Sequence, residues 1–245
     1  MYGKKREDVQ KRPLTKMQFP SKIHVWACIG KGYRKLVVHV VHERDAAPKK
    51  RGPKPKIARA VPSFTASGVS RTRRYRKKDI DNMTQAQLKD WLEIKKDAAG
   101  GDADCGLNGF TYADKCLRPF LNDMKRKGSD FKYSLLQDGA KIHTCNYVYA
   151  WGRANNLKTI ANHPPHSPDL NPCEKVWAYL KKAVGNSKTF SAEELRAKIV
   201  AEFERMPQDL VDRWVDSYWK TLRVARLLDG AWVGDKGLRK PKALM

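Results

Sequence analysis

The chain has 245 residues, of which 41% are apolar, so one sizeable α/β domain with extensions, or two small domains, can bury a core. Fifty Lys and Arg stand against 26 Asp and Glu, and the net charge of +24 points to a polyanionic partner. No run approaches the eighteen consecutive apolar residues of a membrane span, and MYGKKREDVQKRP lacks the apolar stretch of a secretory signal. Five scattered cysteines (Cys28, Cys105, Cys116, Cys145, Cys173) form no C-x-x-C pair. They suggest neither a disulfide framework nor a zinc site, and fit a reducing compartment, cytosol or nucleus.

Residues 1–22 are basic, broken by Pro13 and Pro20, and read as a loop. IHVWACI (Ile23–Ile29) and KLVVHVVH (Lys35–His42) are β-rich runs joined by a short Gly-containing connector, which predicts an antiparallel hairpin. From Ala46 to Lys78 there is no acidic residue. Lys49, Lys50, Arg51, Lys54, Lys56, Arg71, Arg73, Arg74, Arg76, Lys77 and Lys78 crowd this stretch, which has no apolar period and is expected to stay disordered until it meets a polyanion. These are the candidate nucleic-acid-binding residues. Its KKRGPKPK run is similar to the Arg-Gly-Pro core of AT-hooks, although Pro53 stands where the hook has Arg; a nuclear-import signal or a plain cationic loop fits the same residues.

Thr84, as N-cap with Gln87 at N3, predicts a short helix with Leu88, Trp91 and Leu92 on its apolar stripe, stapled by Met83. Ala98–Asp104 reads as a loop. A second helix is expected from about Tyr112 to Arg126, with Leu117, Phe120, Leu121 and Met124 on one face. YSLLQ (Tyr133–Gln137) predicts a short strand ending at Asp138, followed by a helix over about 144–155 and a short strand near 157–161. HPPHSPDLNP is a proline-rich loop. Cys173, Val176, Trp177, Leu180 and Val184 give the next helix a core-facing stripe. Ser191 and Glu194 form a capping box for another helix, with Phe190 and Leu195 as its staple, and a last one runs through 211–228. No internal repeat is present.

This order places a carboxylate at the end of a strand, Asp138, and another in the first turn of a helix, Glu174, with thirty-five residues between them. Carboxylates that a sheet gathers from distant parts of a chain make an oxygen-rich site for hard cations, and two such cations can clamp the attacking and leaving oxygens of a phosphodiester. Each residue also has a structural reading. Asp138-Gly139 is good turn chemistry, and Glu174 could be the far half of a capping box begun by Asn171. Asp169 fits a turn-shaping role, Trp177 a core role, and His143 and His166 hydrogen-bonding roles, because Mg²⁺ prefers oxygen.

LLQDGAKIHT (Leu135–Thr144) resembles the second-aspartate block of mariner-superfamily DDE transposases, and HPPHSPDLNPCEKVWAYLKK (His163–Lys182) resembles their third block. IHVWACIGKGYRKLVV resembles the hairpin that follows the first aspartate, and GLNGFTYADKCLRPFL the helix leading to the second block. The resemblance covers roughly residues 23–233 apart from an insertion at 44–103. It implies an α/β, RNase-H-like mixed sheet flanked by helices, with C-terminal helices. It also implies metal-dependent DNA cleavage and strand transfer, with Asp138 and Glu174 as metal ligands of a two-metal Mg²⁺ or Mn²⁺ site. DNA, both transposon ends and target, is the implied partner, in the nucleus; a homodimer is the assembly to test, and no membrane is involved.

Three departures from the family pattern bear on activity. Gly139 replaces the usual Asn, and the basic insertion is long. The strand carrying the first aspartate is missing from the expected place, since only Asp8 precedes Ile23. The division read from the sequence is therefore an N-terminal remnant and hairpin (1–43), a basic, largely disordered insertion with a short helix (44–103), and the remainder of the DDE core (104–245). A DDE transposase core lacking its first central strand is the expected reading, defective until a third carboxylate is supplied. A catalytically dead DNA-binding remnant, or a domesticated transposase-derived protein, is the rival.

Overall fold

The computed structural model describes residues 21–42, 63–98, 107–128, 132–160, 163–164, 167–185 and 191–227. Strands β1 (Ser21–Gly30) and β2 (Tyr33–His42) pair antiparallel, Gly30 opposite Tyr33 and Trp26 opposite Val37. The turn between them has two residues, and Gly32 takes φ 61°, a left-handed conformation that costs glycine little.

Because side chains alternate along a strand, the hairpin has two apolar faces. Trp26, Cys28, Tyr33 and Val37 face one cluster, built from Val69, Ile80, Leu88, Trp91, Leu117, Phe120 and Trp151 among others. Ala27, Ile29 and Leu36 face a second cluster with Val176, Leu180, Phe203, Met206 and Val211. The hairpin is thus the middle of three layers. On one side lie α1 (Lys77–Asp81), α2 (Gln85–Ala98), α3 (Gly109–Tyr112), α4 (Arg118–Arg126), α5 (Lys141–Thr144) and α6 (Asn146–Ala154). On the other lie α7 (Cys173–Val184), α8 (Ala192–Arg205) and α9 (Gln208–Leu227).

Local signals set most of the helix starts. Thr84 and Gln87 exchange side-chain-to-backbone hydrogen bonds at 3.0 and 3.3 Å, and Ser191 and Glu194 do the same at 2.8 and 3.2 Å. Phe190, the partner proposed for the second staple, lies outside the described residues. The helix expected from Tyr112 begins three residues earlier, at Gly109, because Asn108 and Thr111 cap it reciprocally. Between α3 and α4 the backbone widens into a π turn over Ala113–Leu117, just before Pro119, which has no N–H to return to the preceding turn.

Two expectations change. Residues 63–98 are folded onto the core: Phe64 bridges Ser70, Val69 is 2% exposed and Ile80 fully buried. Apolar residues spaced too irregularly to show a period in the sequence still find the α6 side of the core, so the basic segment is not unstructured throughout; residues 43–62 lie outside the described residues. The mixed sheet is also smaller than the resemblance implies. Among the described residues, YSLLQ contributes a single parallel bridge, Leu135 with Thr159, and does not pair with β1. The chain is mixed α/β, mostly helical, around a two-stranded antiparallel sheet.

Gly109 packs where a Cβ would overlap Cys145 Sγ. Gly109→Ala is expected to destabilise the chain by about 1–3 kcal/mol, the range for overpacking. Adding Cys145→Ala should recover most of that loss in urea denaturation; a single variant as stable as the wild type would show that the α3–α5 contact is loose.

Candidate active site

The segment 133–138 is held from one side. Leu135 donates to Lys158 O (2.8 Å) and accepts from Ile160 N–H (2.9 Å), so its neighbours Ser134 and Leu136 present their backbone groups the other way. Asp138 follows directly. Its Oδ1 accepts from Ala140 N–H at 3.0 Å, the local turn bond expected of Asp before Gly-Ala. The same oxygen meets His143 Nδ1 at 2.6 Å. His143 is held in turn by the Tyr112 ring (4.4 Å between centroids), and Gln137 donates its side-chain amide to Tyr112 OH. One carboxylate oxygen of Asp138 is therefore oriented by Ala140 N–H and the part-buried His143 ring, while the side chain as a whole stays 54% exposed.

Glu174 lies in the first turn of α7 and is exposed. The turn is shaped by Asn171, whose Oδ1 accepts from Cys173 N–H (3.1 Å) and whose carbonyl accepts from Glu174 N–H (3.0 Å). Among the described residues no reciprocal capping box forms with the Glu174 side chain, which leaves its carboxylate outward at a helix N-terminus, where an anion is favoured. Asp169 sits in the 3₁₀ turn Pro168–Leu170 ahead of this helix, and Trp177 packs against the α7–α9 core.

Cys173 precedes Glu174 in the chain and lines the same cavity as Asp138. Burial pushes its thiol up to about 12, and the charges of Glu174 and Asp138 act in the same direction. The thiol reaches Ala27 O of β1 at 3.8 Å. Asp138, the start of α7 and the middle of β1 thus meet around one cavity, an encounter that neither sequence block shows alone. Among the described residues no group of three or more His, Cys, Asp or Glu side chains is arranged to hold a metal ion. The pair that is present offers hard oxygen donors of the kind that suit Mg²⁺ or Mn²⁺.

A cavity of about 740 Å³ separates β1 from residues 132–138, lined by Trp26, Cys28, Leu135, Ile142, Trp177 and Trp219 among others, with Asp138 at its wall.

The candidate cations of the basic segment divide. Arg71, Arg73, Arg74, Arg76, Lys77 and Lys78 are exposed on the described surface, although Arg73 is tied to Asp79 and Tyr75, and Lys77 lies over the Tyr149 ring. Lys49, Lys50, Arg51, Lys54 and Lys56 lie outside the described residues. Sequence reasoning missed the Tyr112–Gln137 support beneath His143. Its only local signal was the Asp138–His143 separation across a Gly-Ala turn, too short to bring in a tyrosine twenty-six residues upstream.

Residues 110–196 match the family model described as DDE superfamily endonuclease. The chain is 24% identical over 117 residues to the transposable element Tcb2 transposase of Caenorhabditis briggsae, covering 46% of this chain and 41% of that protein. It is 26% identical over 114 residues to the Tc1 transposase of Caenorhabditis elegans, covering 45% and 40%. To the Tcb1 transposase of Caenorhabditis briggsae it is 28% identical over 111 residues, covering 45% and 40%. The aligned region spans about two-fifths of the length of these relatives. The resemblance read from the motifs therefore stands as a DDE superfamily endonuclease match with Tc1-type transposases as relatives at modest identity.

Proposed function

We propose that this chain is part of a mariner-type DDE transposase core of RNase-H-like fold, which cleaves DNA at transposon ends and joins them to target DNA. The observation that carries the reading is that Asp138 and the start of the Glu174 helix (Asn171, Pro172 and Cys173) line one cavity, within the segment matching the endonuclease family. Asp138 and Glu174 would hold the divalent ions. When bound, Mg²⁺ or Mn²⁺ would neutralise charge on the phosphodiester oxygens and favour a hydroxyl nucleophile. The chain's own residues do the positioning. His143, backed by Tyr112, holds one oxygen of Asp138, and the first turn of α7 presents Glu174 to solvent.

In this reading the cavity beside β1 is the seat of a central strand that ends in the third carboxylate. One wall is β1, and the other is the 132–138 segment, whose bridge with Thr159 leaves its other side toward the cavity. DNA as partner and the nucleus as place of action follow from the same reading, supported by the net charge of +24. No described helix is long and apolar enough to cross a membrane.

Metal binding tests the pair. Mn²⁺ titrated calorimetrically into the chain should bind weakly, and Asp138→Ala or Glu174→Ala should each abolish the signal. Unchanged binding in both variants would move the site elsewhere; no binding at all, together with retained DNA affinity, would favour the DNA-binding remnant.

A further inference from the structure

The outer face of α9 carries a surface that neither the two carboxylates nor the basic segment accounts for. Trp219 is 62% exposed, and Leu227 60%. Between them Lys220, Arg223 and Arg226 are exposed on one ridge, three residues apart, about 4.5 Å per step along the helix axis. No hydrogen bond or ion pair among the described residues engages these three cations, whereas Arg213 is tied to Asp209 and Lys31 to Asp216 nearer the start of the helix. After Asp216, α9 has no carboxylate. A large indole left in solvent beside three cations with no partner among the described residues departs from an ordinary helix surface, which intersperses both signs.

The helix is also held in a definite place. Its N-terminal half is pinned to the hairpin turn, where Gly32 N–H donates to Asp212 (2.9 Å). At its middle, Lys175, the residue after Glu174, donates to Ser217 Oγ (2.7 Å). Further on, Ala225 and Leu222 pack on Leu170, ahead of the Glu174 helix. Trp219 itself lines the cavity that has Asp138 in its wall. The ridge thus starts at the carboxylate site and leads away from it.

We propose that this face of α9 is a track for the unpaired end of a DNA strand: Trp219 stacks on a base, and Lys220, Arg223 and Arg226 neutralise its following phosphates. The proposal rests on the DNA-processing reading and specifies how that site receives its substrate. Single-stranded DNA fits the surface better than duplex, because an exposed indole needs a free base face, and paired bases hide theirs in the stack. Guanidinium and ammonium groups in a row supply the phosphate contacts. Charge complementarity selects nucleic acid over a second copy of this chain, which would present the same three cations.

The test is fluorescence anisotropy in EDTA with a labelled duplex, either blunt or carrying a three-nucleotide overhang. Because no metal is present, the outcome is independent of whether Asp138 and Glu174 bind one. Trp219→Ala should weaken binding to the overhanging duplex about 5- to 150-fold, the span for loss of one stacked base, and leave the blunt duplex almost unaffected. Trp219→Phe should restore most of the loss. Replacing Lys220, Arg223 and Arg226 together by Ala should make the log K against log salt slope for the overhanging duplex shallower by about 2, from ~0.7 per phosphate. All these side chains are exposed, so thermal unfolding should stay at the wild-type temperature and rule out misfolding. An unchanged slope, or equal losses on blunt and overhanging DNA in Trp219→Ala, would overturn the proposal. So would sedimentation showing a wild-type dimer that Trp219→Ala and Leu227→Ala dissociate without changing DNA affinity. A failure of the metal titration with these binding effects intact would instead overturn the catalytic reading alone.

Discussion

Replacing Lys49, Lys50, Arg51, Lys54, Lys56, Arg71, Arg73, Arg74, Arg76, Lys77 and Lys78 by Gln should weaken binding to blunt duplex DNA by about 10³-fold or more at low salt. With Arg59, these cations make twelve within thirty residues of a stretch without a single acidic side chain, and such a density neutralises several phosphates at once. If about six are contacted, the wild-type log K against log salt slope is near −5, and the variant's should be nearly flat by comparison. Sequence preference should be slight, since phosphate contacts carry no base information. Substitution is the right test, and deletion is not. Val69 is 2% exposed and Ser70 8%, and Tyr75 OH accepts from Ser70 N–H at 2.9 Å, so removing residues 46–78 would take out part of the core along with the charge. Equal affinity and slope in the Gln variant would place duplex binding elsewhere on the chain.

Supplying an apolar strand that ends in Asp to the cavity beside β1 should raise the unfolding temperature by roughly 8–16 °C. The backbone groups of Ser134 and Leu136 point away from their only sheet neighbour, and β1 pairs with β2 alone among the described residues. Four such groups at the low end of about 1–3 kcal/mol each amount to ~4 kcal/mol. For a chain of this size each kcal/mol moves the midpoint by roughly 2–4 °C. The strand can be fused ahead of residue 1 or added as a peptide, with a sequence-scrambled Lys-rich peptide as control. Without it, the open edges should make the chain poorly soluble or partly folded, and inactive in donor-end cleavage. With it, Mg²⁺- or Mn²⁺-dependent nicking should appear together with the stabilisation. A sharp cooperative transition and specific cleavage by residues 1–245 alone would show that the cavity needs no strand. Stabilisation by the scrambled peptide would show that the cavity accepts any apolar chain.

The elements legible in the sequence were those whose cause is local. The alternation of IHVWACI and KLVVHVVH, with glycine at the turn, defines the hairpin and both of its faces. Thr84–Gln87 and Ser191–Glu194 are caps whose partners lie three residues apart, so spacing alone reveals them. The Asp138 and Glu174 blocks were recognisable because turn and helix-start chemistry constrain neighbouring residues in a short pattern. Asn108–Thr111 has the same three-residue logic, but Thr in place of Glu or Gln hid it, and the helix start was read late.

What only the tertiary structure decided is which distant groups meet. Val69 lies within, and Ile80 just after, a stretch of twelve cations whose charge hides any apolar period, and they fold only because α6 and α2 offer a surface to cover. Tyr112 reaches His143 because the α3–α4 helix crosses behind the 133–138 segment, a packing relation that no spacing rule encodes. The meeting of Asp138 and the start of the Glu174 helix around one cavity, the cavity between β1 and Leu135, and the alignment of α9 with the Glu174 helix arise in the same way. Sequence determines side-chain period and hydrogen bonds over three or four residues, because those depend on backbone geometry alone. Contacts between residues tens of positions apart depend on how two apolar faces close on each other, and that is settled only when the layers pack.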